Sequence, residues 1–154
     1  MSGDDEIIFE MGLYQAGLPT RLRYAEVHFW LETLDAGGAE RTRIGLTTYA
    51  TRLLDDLFRL DWKVVPGQLV TESEALGEVE STKASSELYA PMSGKLRAVN
   101  AEMVEKPGRI GVEPYANWLL EFEGHPQASL SAEEYRQFLA SGWEETQRLL
   151  KAQM

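Results

Sequence analysis

Apolar and polar positions divide the chain into a β-rich middle and a helical C-terminus. Between residues 57 and 123, short runs of branched and aromatic residues alternate with Pro-Gly, Ser-Gly and similar turn signals. Short strands at this spacing are typical of an antiparallel sandwich or barrel, and not of strands and helices alternating around a parallel sheet. Residues 24–35 are rich in aromatic and branched side chains and are predicted to form one strand. Residues 100–116 are predicted to be a loop with one helical turn.

Helical patterns occur at two places. Thr47 is a suitable N-cap, and the apolar residues after it recur at helical spacing, which predicts a short helix near residues 48–55. Ser131 and Glu134 have the spacing of a capping box, and the apolar residues that follow predict a C-terminal helix. The apolar side of this helix is interrupted at residues 141–142, a Ser-Gly pair.

The length of 154 residues is sufficient for one domain with its own core. Residues 1–20 are predicted to be an N-terminal extension, and residues 21–154 to form one domain that includes the C-terminal helix. The aromatic residues predicted to lie in the core are Trp30, Tyr49, Tyr89, Tyr115 and Trp118.

The net charge of −10 argues against binding to nucleic acid or to anionic membranes, because their phosphates would repel the chain. No apolar stretch approaches the length needed to span a bilayer. The N-terminus is acidic and lacks the basic segment and apolar run of a secretory signal. We therefore expect a cytoplasmic protein.

The chain contains no cysteine, so disulfides, thiolate metal sites and cysteine nucleophiles are excluded. Its two histidines, His28 and His125, are far apart in sequence, which makes a histidine-based metal site or triad improbable. No paired catalytic constellation is evident. We therefore expect no metal and no catalytic residue, and any redox or group-transfer chemistry requires reactive atoms from an attached group.

One lysine has an unusual setting. Lys83 lies between the small residues Thr82 and Ala84, and segments that read as strands precede and follow it. A tight hairpin directs the side chain at its tip into solvent, where small neighbours leave the amine open to a modifying enzyme. Geometry alone leaves two interpretations, an acceptor for covalent modification or an ordinary solvated turn lysine.

The wider motif favours the first interpretation. Residues 80–100, ESTKASSELYAPMSGKLRAVN, resemble the lipoyl-lysine hairpin of glycine cleavage system H proteins. The matching positions are Glu80, Ser81, Lys83, Ala84, Ser86, Pro91, Ser93, Gly94 and Asn100. Residues 24–30, 45–54 and 114–119 resemble other motifs of that family in the same order. Biotin carriers place their lysine between two methionines, and lipoyl domains of 2-oxoacid dehydrogenases usually place an aspartate before it, so neither fits as well.

The resemblance implies a mostly β, lipoyl-domain-like antiparallel β-sandwich, also called a barrel-sandwich hybrid. It implies that lipoic acid is attached covalently to Lys83 by a lipoate ligase or a lipoyl/octanoyl transferase. The chain would then be a non-catalytic carrier in glycine catabolism. It would shuttle an aminomethyl group between glycine decarboxylase (P protein) and the aminomethyltransferase (T protein). Dihydrolipoyl dehydrogenase (L protein) would reoxidise the arm.

Further site residues are expected around this hairpin. Glu80, Ser81 and Ala84 are predicted to help the modifying enzyme recognise the tip, although Glu80 could instead be an edge-strand charge that discourages sheet association. His28 is a candidate for lining a groove that receives the lipoyl arm. The alternative for His28 is a half-buried strand histidine that is hydrogen-bonded to the backbone.

The chain also departs from the family pattern. Asp55 and Asn117 replace glycines, and these two residue types best tolerate a left-handed backbone. The departures leave open a second interpretation, an H-like lipoyl carrier for another pathway such as lipoate-dependent sulfur oxidation. A third is an unlipoylated interaction protein that retains the fold.

Overall fold

The computed structural model describes residues 5–152, which form eleven strands and four helices. Residues 1–4 of the predicted extension and residues 153–154 of the predicted domain lie outside the described residues. The strands are β1 (Glu6–Met11), β2 (Tyr14–Pro19), β3 (Arg23–Tyr24), β4 (Phe29–Ala36), β5 (Ala39–Leu46), β6 (Leu57–Trp62), β7 (Leu69–Val70), β8 (Ala75–Ser81), β9 (Ser85–Tyr89), β10 (Gly94–Val99) and β11 (Leu120–Glu123). The helices are α1 (Thr48–Leu54), α2 (Ala101–Glu105), α3 (Gly108–Val112) and α4 (Ala132–Ala152).

The strands form a sandwich. One sheet has six strands in the order β3-β4-β5-β11-β10-β7, and a second has three in the order β6-β8-β9. The strand pairings among the described residues are antiparallel. The main core contains buried side chains of both sheets, such as Ile44 and Phe122 from the larger sheet and Leu60 and Val79 from the smaller. The prediction of a mostly β antiparallel sandwich with a short helix and a C-terminal helix is confirmed.

A second core lies outside the sandwich. Strands β1 and β2 pair as a hairpin, and Phe9 and Leu18 of this hairpin pack with Trp30 of β4 and with Tyr135 and Leu139 of α4. The hairpin falls within the predicted N-terminal extension. These buried apolar contacts bind it to the body of the protein. The domain boundary after residue 20 stays a prediction.

The prediction of one strand over residues 24–35 is wrong. The chain reverses after Tyr24, so that Tyr24 of β3 pairs with Trp30 of β4. His28 has φ 70 and its amide donates to the carbonyl of Ala25, while the Ala25 amide donates to the carbonyl of Phe29. The turn contains neither glycine nor proline, and therefore carries none of the residues by which turns are usually recognised.

The helix caps are as predicted. Thr47 Oγ1 accepts a hydrogen bond from the Ala50 amide at 3.2 Å. Ser131 and Glu134 bond reciprocally, with Ser131 N to Glu134 Oε1 at 2.8 Å and Glu134 N to Ser131 Oγ at 3.1 Å. Both caps consist of residues close in sequence, which is why the sequence predicts them.

The predicted C-terminal helix is confirmed, and one other helical prediction is wrong in detail. Helix α4 is continuous through residues 141–142, although a helical glycine costs roughly 1 kcal/mol relative to alanine. Phe138, Leu139 and Trp143 pack in the second core on both sides of this point, and their contacts offset that cost. The segment expected to contain one helical turn contains two short helices, α2 and α3.

The two residues that stand where the family pattern has glycine differ in backbone conformation. Asp55 follows α1 with φ 68, the left-handed backbone that was expected there. Asn117 does not adopt positive φ; its side-chain amide instead donates to the carbonyls of Arg109 and Glu113 at the end of α3. Among the predicted core aromatics, Trp30 and Tyr49 are buried, and Tyr115 and Trp118 are partly buried against the second core. Tyr89 is 40% exposed, so its assignment to the core is wrong.

Across residues 5–152, no helix combines the length and the apolar character that a membrane crossing requires.

Candidate functional site

Lys83 lies in the tight connection between β8 and β9. Ser81 Oγ accepts hydrogen bonds from the amides of Lys83 and Ala84 at 3.2 and 3.1 Å, and donates to the Ala84 carbonyl at 3.0 Å. The Ser81 amide also donates to the Ala84 carbonyl, and the Thr82 amide donates to the carbonyl of Asp56. A buried serine therefore holds the backbone of the tip, and one further bond ties the tip to the segment after α1.

The Lys83 side chain is exposed. Arg59, which lies opposite Glu80 on the neighbouring strand, contacts Asp61 at 2.7 Å and Glu80 at 3.5 Å. Within residues 5–152, no carboxylate forms an ion pair with the Lys83 amine, and no group of three or more His, Asp or Glu is arranged to hold a metal ion. The amine is therefore open to an incoming enzyme.

The predicted recognition residues surround this tip. Ser81 and Ala84 form the turn itself, and Glu80 precedes it on β8, where its carboxylate lies 3.5 Å from Arg59. Strand β8 lies between β6 and β9, so the interpretation of Glu80 as an edge-strand charge is wrong. The role of these residues in enzyme recognition stays a prediction.

A groove of about 390 Å³ opens beside Lys83, whose side chain forms part of its wall. The other walls are α1, residues 55–57, α3 and the start of β2. Its charged groups besides Lys83 are Arg52, Asp55 and Asp56, and Tyr14 contributes an aromatic ring. The sequence did not identify this groove, because its walls come from segments far apart in sequence.

His28 does not line the groove beside Lys83. Its ring packs in the second core against Tyr49, Tyr135 and Phe138, and its Nδ1 lies 2.8 Å from the Tyr135 hydroxyl. The alternative prediction, a strand histidine bonded to the backbone, is also wrong in detail, since His28 lies in a turn and its ring bonds a side chain. Burial lowers the pKa of His28 to about 4.

This pKa predicts a pH-dependent stability. An unfolded histidine takes up a proton near pH 6.5, whereas the folded protein resists protonation of His28 until about pH 4. The free energy of unfolding should therefore fall by about 3 kcal/mol from this group as the pH drops from about 6.5 to 4. Asparagine tolerates the positive φ of this position and does not titrate in this range. His28→Asn should therefore remove this part of the pH dependence of the free energy of unfolding, measured by urea denaturation.

The outcome that would contradict this prediction is an acid slope in His28→Asn equal to that of the unchanged protein. Equal slopes would show that protonation of His28 is not linked to folding.

Comparisons with known proteins agree with the fold and the hairpin. Residues 22–148 match the family model described as glycine cleavage H-protein. A glycine cleavage system H protein of Mycobacterium bovis (strain BCG / Pasteur 1173P2) is 40% identical over 107 residues, which cover 69% of this chain and 77% of the relative. One from Micrococcus luteus is 40% identical over 116 residues, which cover 75% of this chain and 88% of the relative.

The crystal structure of a glycine cleavage system H protein from Mycobacterium marinum is also similar. It superposes with a TM-score of 0.69 at 34% identity and covers 80% of this chain and 99% of that chain. The likeness supports the lipoyl-domain-like form of the sandwich. The family match spans the two sheets and the Lys83 hairpin, and with these relatives it shows that this chain belongs to the glycine cleavage H-protein family.

Proposed function

We propose that this chain is the lipoyl carrier of a glycine cleavage system, with lipoic acid joined in amide linkage to the Nζ of Lys83. The observation that carries the proposal is the position of this lysine. Its side chain is exposed at a hairpin tip, its amine is in no ion pair among the described residues, and the surrounding sequence resembles the family's acceptor motif within the matched region. The relatives named as glycine cleavage system H proteins support the choice of pathway.

The residues at the tip fit an attached lipoyl group. Thr82 and Ala84 are both exposed and small, so they leave the Lys83 amine accessible to a ligase or transferase. The bonds of Ser81 keep the tip backbone in one conformation before and after the amide forms, since they involve backbone groups and not the amine. When bound, the lipoyl group supplies a redox-active disulfide, which a chain without cysteine cannot provide.

The contribution of the protein is then positional. A group tethered at Lys83 reaches the active site of a docked partner at a high effective concentration, so that each transfer becomes nearly intramolecular. We propose glycine decarboxylase, the aminomethyltransferase and dihydrolipoyl dehydrogenase as these partners, and a lipoate ligase or lipoyl/octanoyl transferase as the loading enzyme. The carrier itself performs none of the chemical steps.

Two other functions were open from the sequence. A lipoyl carrier for sulfur oxidation would use the same hairpin, but the relatives matched here are named for glycine cleavage. An unlipoylated interaction protein would not require an accessible acceptor lysine. Neither has an observation in its favour.

The test is an exchange assay with the lipoylated chain. Purified glycine decarboxylase and the lipoylated protein should catalyse exchange of labelled bicarbonate into the carboxyl group of glycine, whereas the unlipoylated protein should not support it. A lipoylated protein that gives no exchange would favour the carrier of another pathway. A chain that takes up no lipoyl group in the presence of the loading enzyme would exclude both carriers.

A further inference from the structure

The turn of the N-terminal hairpin carries an uncovered leucine. Gly12 and Leu13 connect β1 to β2 beyond the last strand pair, Met11 with Tyr14. Gly12 has φ 69, the left-handed backbone that glycine supplies in tight hairpin turns. The Leu13 side chain is 99% exposed, so no part of the chain between residues 5 and 152 covers it. A single exposed leucine is ordinary on a protein surface, and its surroundings decide whether it has a role.

The surroundings of Leu13 include the acceptor lysine. Tyr14, the next residue, is 59% exposed and lines the groove of which Lys83 forms part of the wall. Val112 of α3 also lines this groove and is 78% exposed. The exposed side chains of Leu13, Tyr14 and Val112, which we call the apolar rim, are therefore grouped near Lys83.

The hairpin turn is held in place relative to α1. The Gly17 carbonyl of β2 accepts hydrogen bonds from Thr48 Oγ1 and from the Tyr115 hydroxyl, both at 2.8 Å. The guanidinium carbon of Arg52, on α1, lies 5.3 Å from the centre of the Tyr14 ring, which is within the range of a cation–π contact. The turn therefore has one position before a partner arrives, and docking on it costs little conformational freedom.

Two carboxylates accompany the apolar rim. Asp55 and Asp56 line the groove, both are exposed, and within residues 5–152 neither forms an ion pair. Both are therefore available to basic side chains of a partner. The net charge of −10 adds a long-range attraction to a basic surface.

The enzyme that loads Lys83 is the partner that has to cover this surface. In the loading step the neutral amine attacks an activated acyl carbon, the bond from this carbon to its activating group breaks, and the amine releases a proton. The acyl carbon must come within about 3–3.5 Å of the Lys83 Nζ. Because Lys83 and Tyr14 share one groove of about 390 Å³, an enzyme surface that reaches the amine also reaches the apolar rim. Enzymes that act on the far end of a loaded arm have no such need, since the arm spans the separation.

We propose that Leu13 and Tyr14, at the turn of the N-terminal hairpin, form a docking contact for the enzyme that loads Lys83, and that they enter an apolar depression flanked by basic side chains on that enzyme. The inference rests on the proposed function, because it requires Lys83 to be acylated. The family match begins at residue 22, so the contact is made by a segment outside the matched region. It therefore distinguishes this chain, as an acceptor, from a carrier that lacks the hairpin.

The test is the rate of lipoylation by the source organism's own loading enzyme, measured over a range of concentrations of the unlipoylated chain. Leu13→Ala should raise the KM for the chain roughly fivefold to thirtyfold, the range for an apolar side chain buried in an interface, and Tyr14→Ala should also raise it. The kcat should stay within about twofold, because the acceptor turn is unchanged. The thermal midpoint of Leu13→Ala should also be retained, because the side chain is 99% exposed.

Leu69→Ala is the matched control. Leu69 lies on β7, is 78% exposed and does not line the groove beside Lys83. It removes the same apolar side chain from another exposed position, so the KM for this variant should equal that of the unchanged protein.

A footprint at the turn gives a readout that does not depend on turnover. The chain has no cysteine, so Leu13→Cys carries a single thiol. Saturating loading enzyme should slow alkylation of this thiol by iodoacetamide severalfold in the unlipoylated chain, as read from the mass of the chain. The thiol of Leu69→Cys should be alkylated at the same rate with and without the enzyme.

The failure of this inference can be distinguished from failure of the proposed function. Absence of a lipoyl mass increment on the unchanged protein would overturn both. A normal increment, with either equal KM values for Leu13→Ala and Leu69→Ala or an unprotected thiol in Leu13→Cys, would overturn the docking contact alone.

Discussion

Lipoylation is expected to be lost completely when Lys83 is replaced by arginine, with the free energy of unfolding changed by no more than about 0.5 kcal/mol. An amide forms by attack of a neutral amine, and the arginine guanidinium stays protonated in proteins and offers no such nucleophile. Stability should be retained because the Lys83 side chain is exposed and its structural hydrogen bonds come from the backbone. Intact mass after expression with a lipoate ligase and lipoate measures the first quantity, and urea denaturation the second.

The control for this change is Lys95→Arg. Lys95 is another exposed lysine, but it lies within strand β10 and not at a hairpin tip. This variant should carry one lipoyl group as the unchanged protein does. A lipoyl increment that persists in Lys83→Arg would place the attachment at another lysine, and a large loss of stability would assign Lys83 a structural role.

The second large effect concerns the strand that supports the hairpin. Gly77 of β8 pairs with Trp62 of β6, and a Cβ at position 77 would lie 2.2 Å from the backbone oxygen of Asp61 and 2.9 Å from the Cα of Trp62. Both contacts are with backbone, which has little freedom to move inside a sheet. We expect Gly77→Ala to lower the free energy of unfolding by about 2–3 kcal/mol, measured by urea denaturation.

Gly142→Ala is a control for which the expected change in the free energy of unfolding has the opposite sign. Gly142 lies in α4 and a Cβ there would meet nothing within 4 Å. Alanine should therefore stabilise the helix by roughly 0.5–1 kcal/mol, since it restricts the unfolded chain and has the higher helix propensity. A Gly77→Ala protein as stable as the unchanged one would mean that β6 and β8 are farther apart at this point than described.

The parts of the fold that the sequence predicted depend on residues near one another in the chain. Thr47 caps α1 and Ser131 caps α4 through bonds to residues three positions away. Asp55 adopts the left-handed backbone that its substitution for glycine implied. The Lys83 hairpin belongs to the same class, because β8, the turn and β9 are consecutive in sequence.

The parts that were missed depend on contacts between distant segments. The turn at His28 is stabilised by packing of its ring on α1 and α4, and its sequence lacks any turn residue. The groove combines residues of β2, α1 and α3 with Lys83, and no periodicity relates such positions. Tyr89 has the alternation of a strand residue, but its hydroxyl bonds Glu87 at the surface.

The hydrogen bond from the Thr82 amide to the Asp56 carbonyl holds the backbone next to Lys83 against the segment that follows α1. It anchors the tip to the sandwich at 3.0 Å, in addition to the bonds of Ser81 within the turn. The backbone at Lys83 is therefore tied to the body of the protein. For the lipoyl arm proposed on Lys83, the accessible distance would be set by the length of the arm from this tied point, and each partner would have to bring its catalytic centre within that distance.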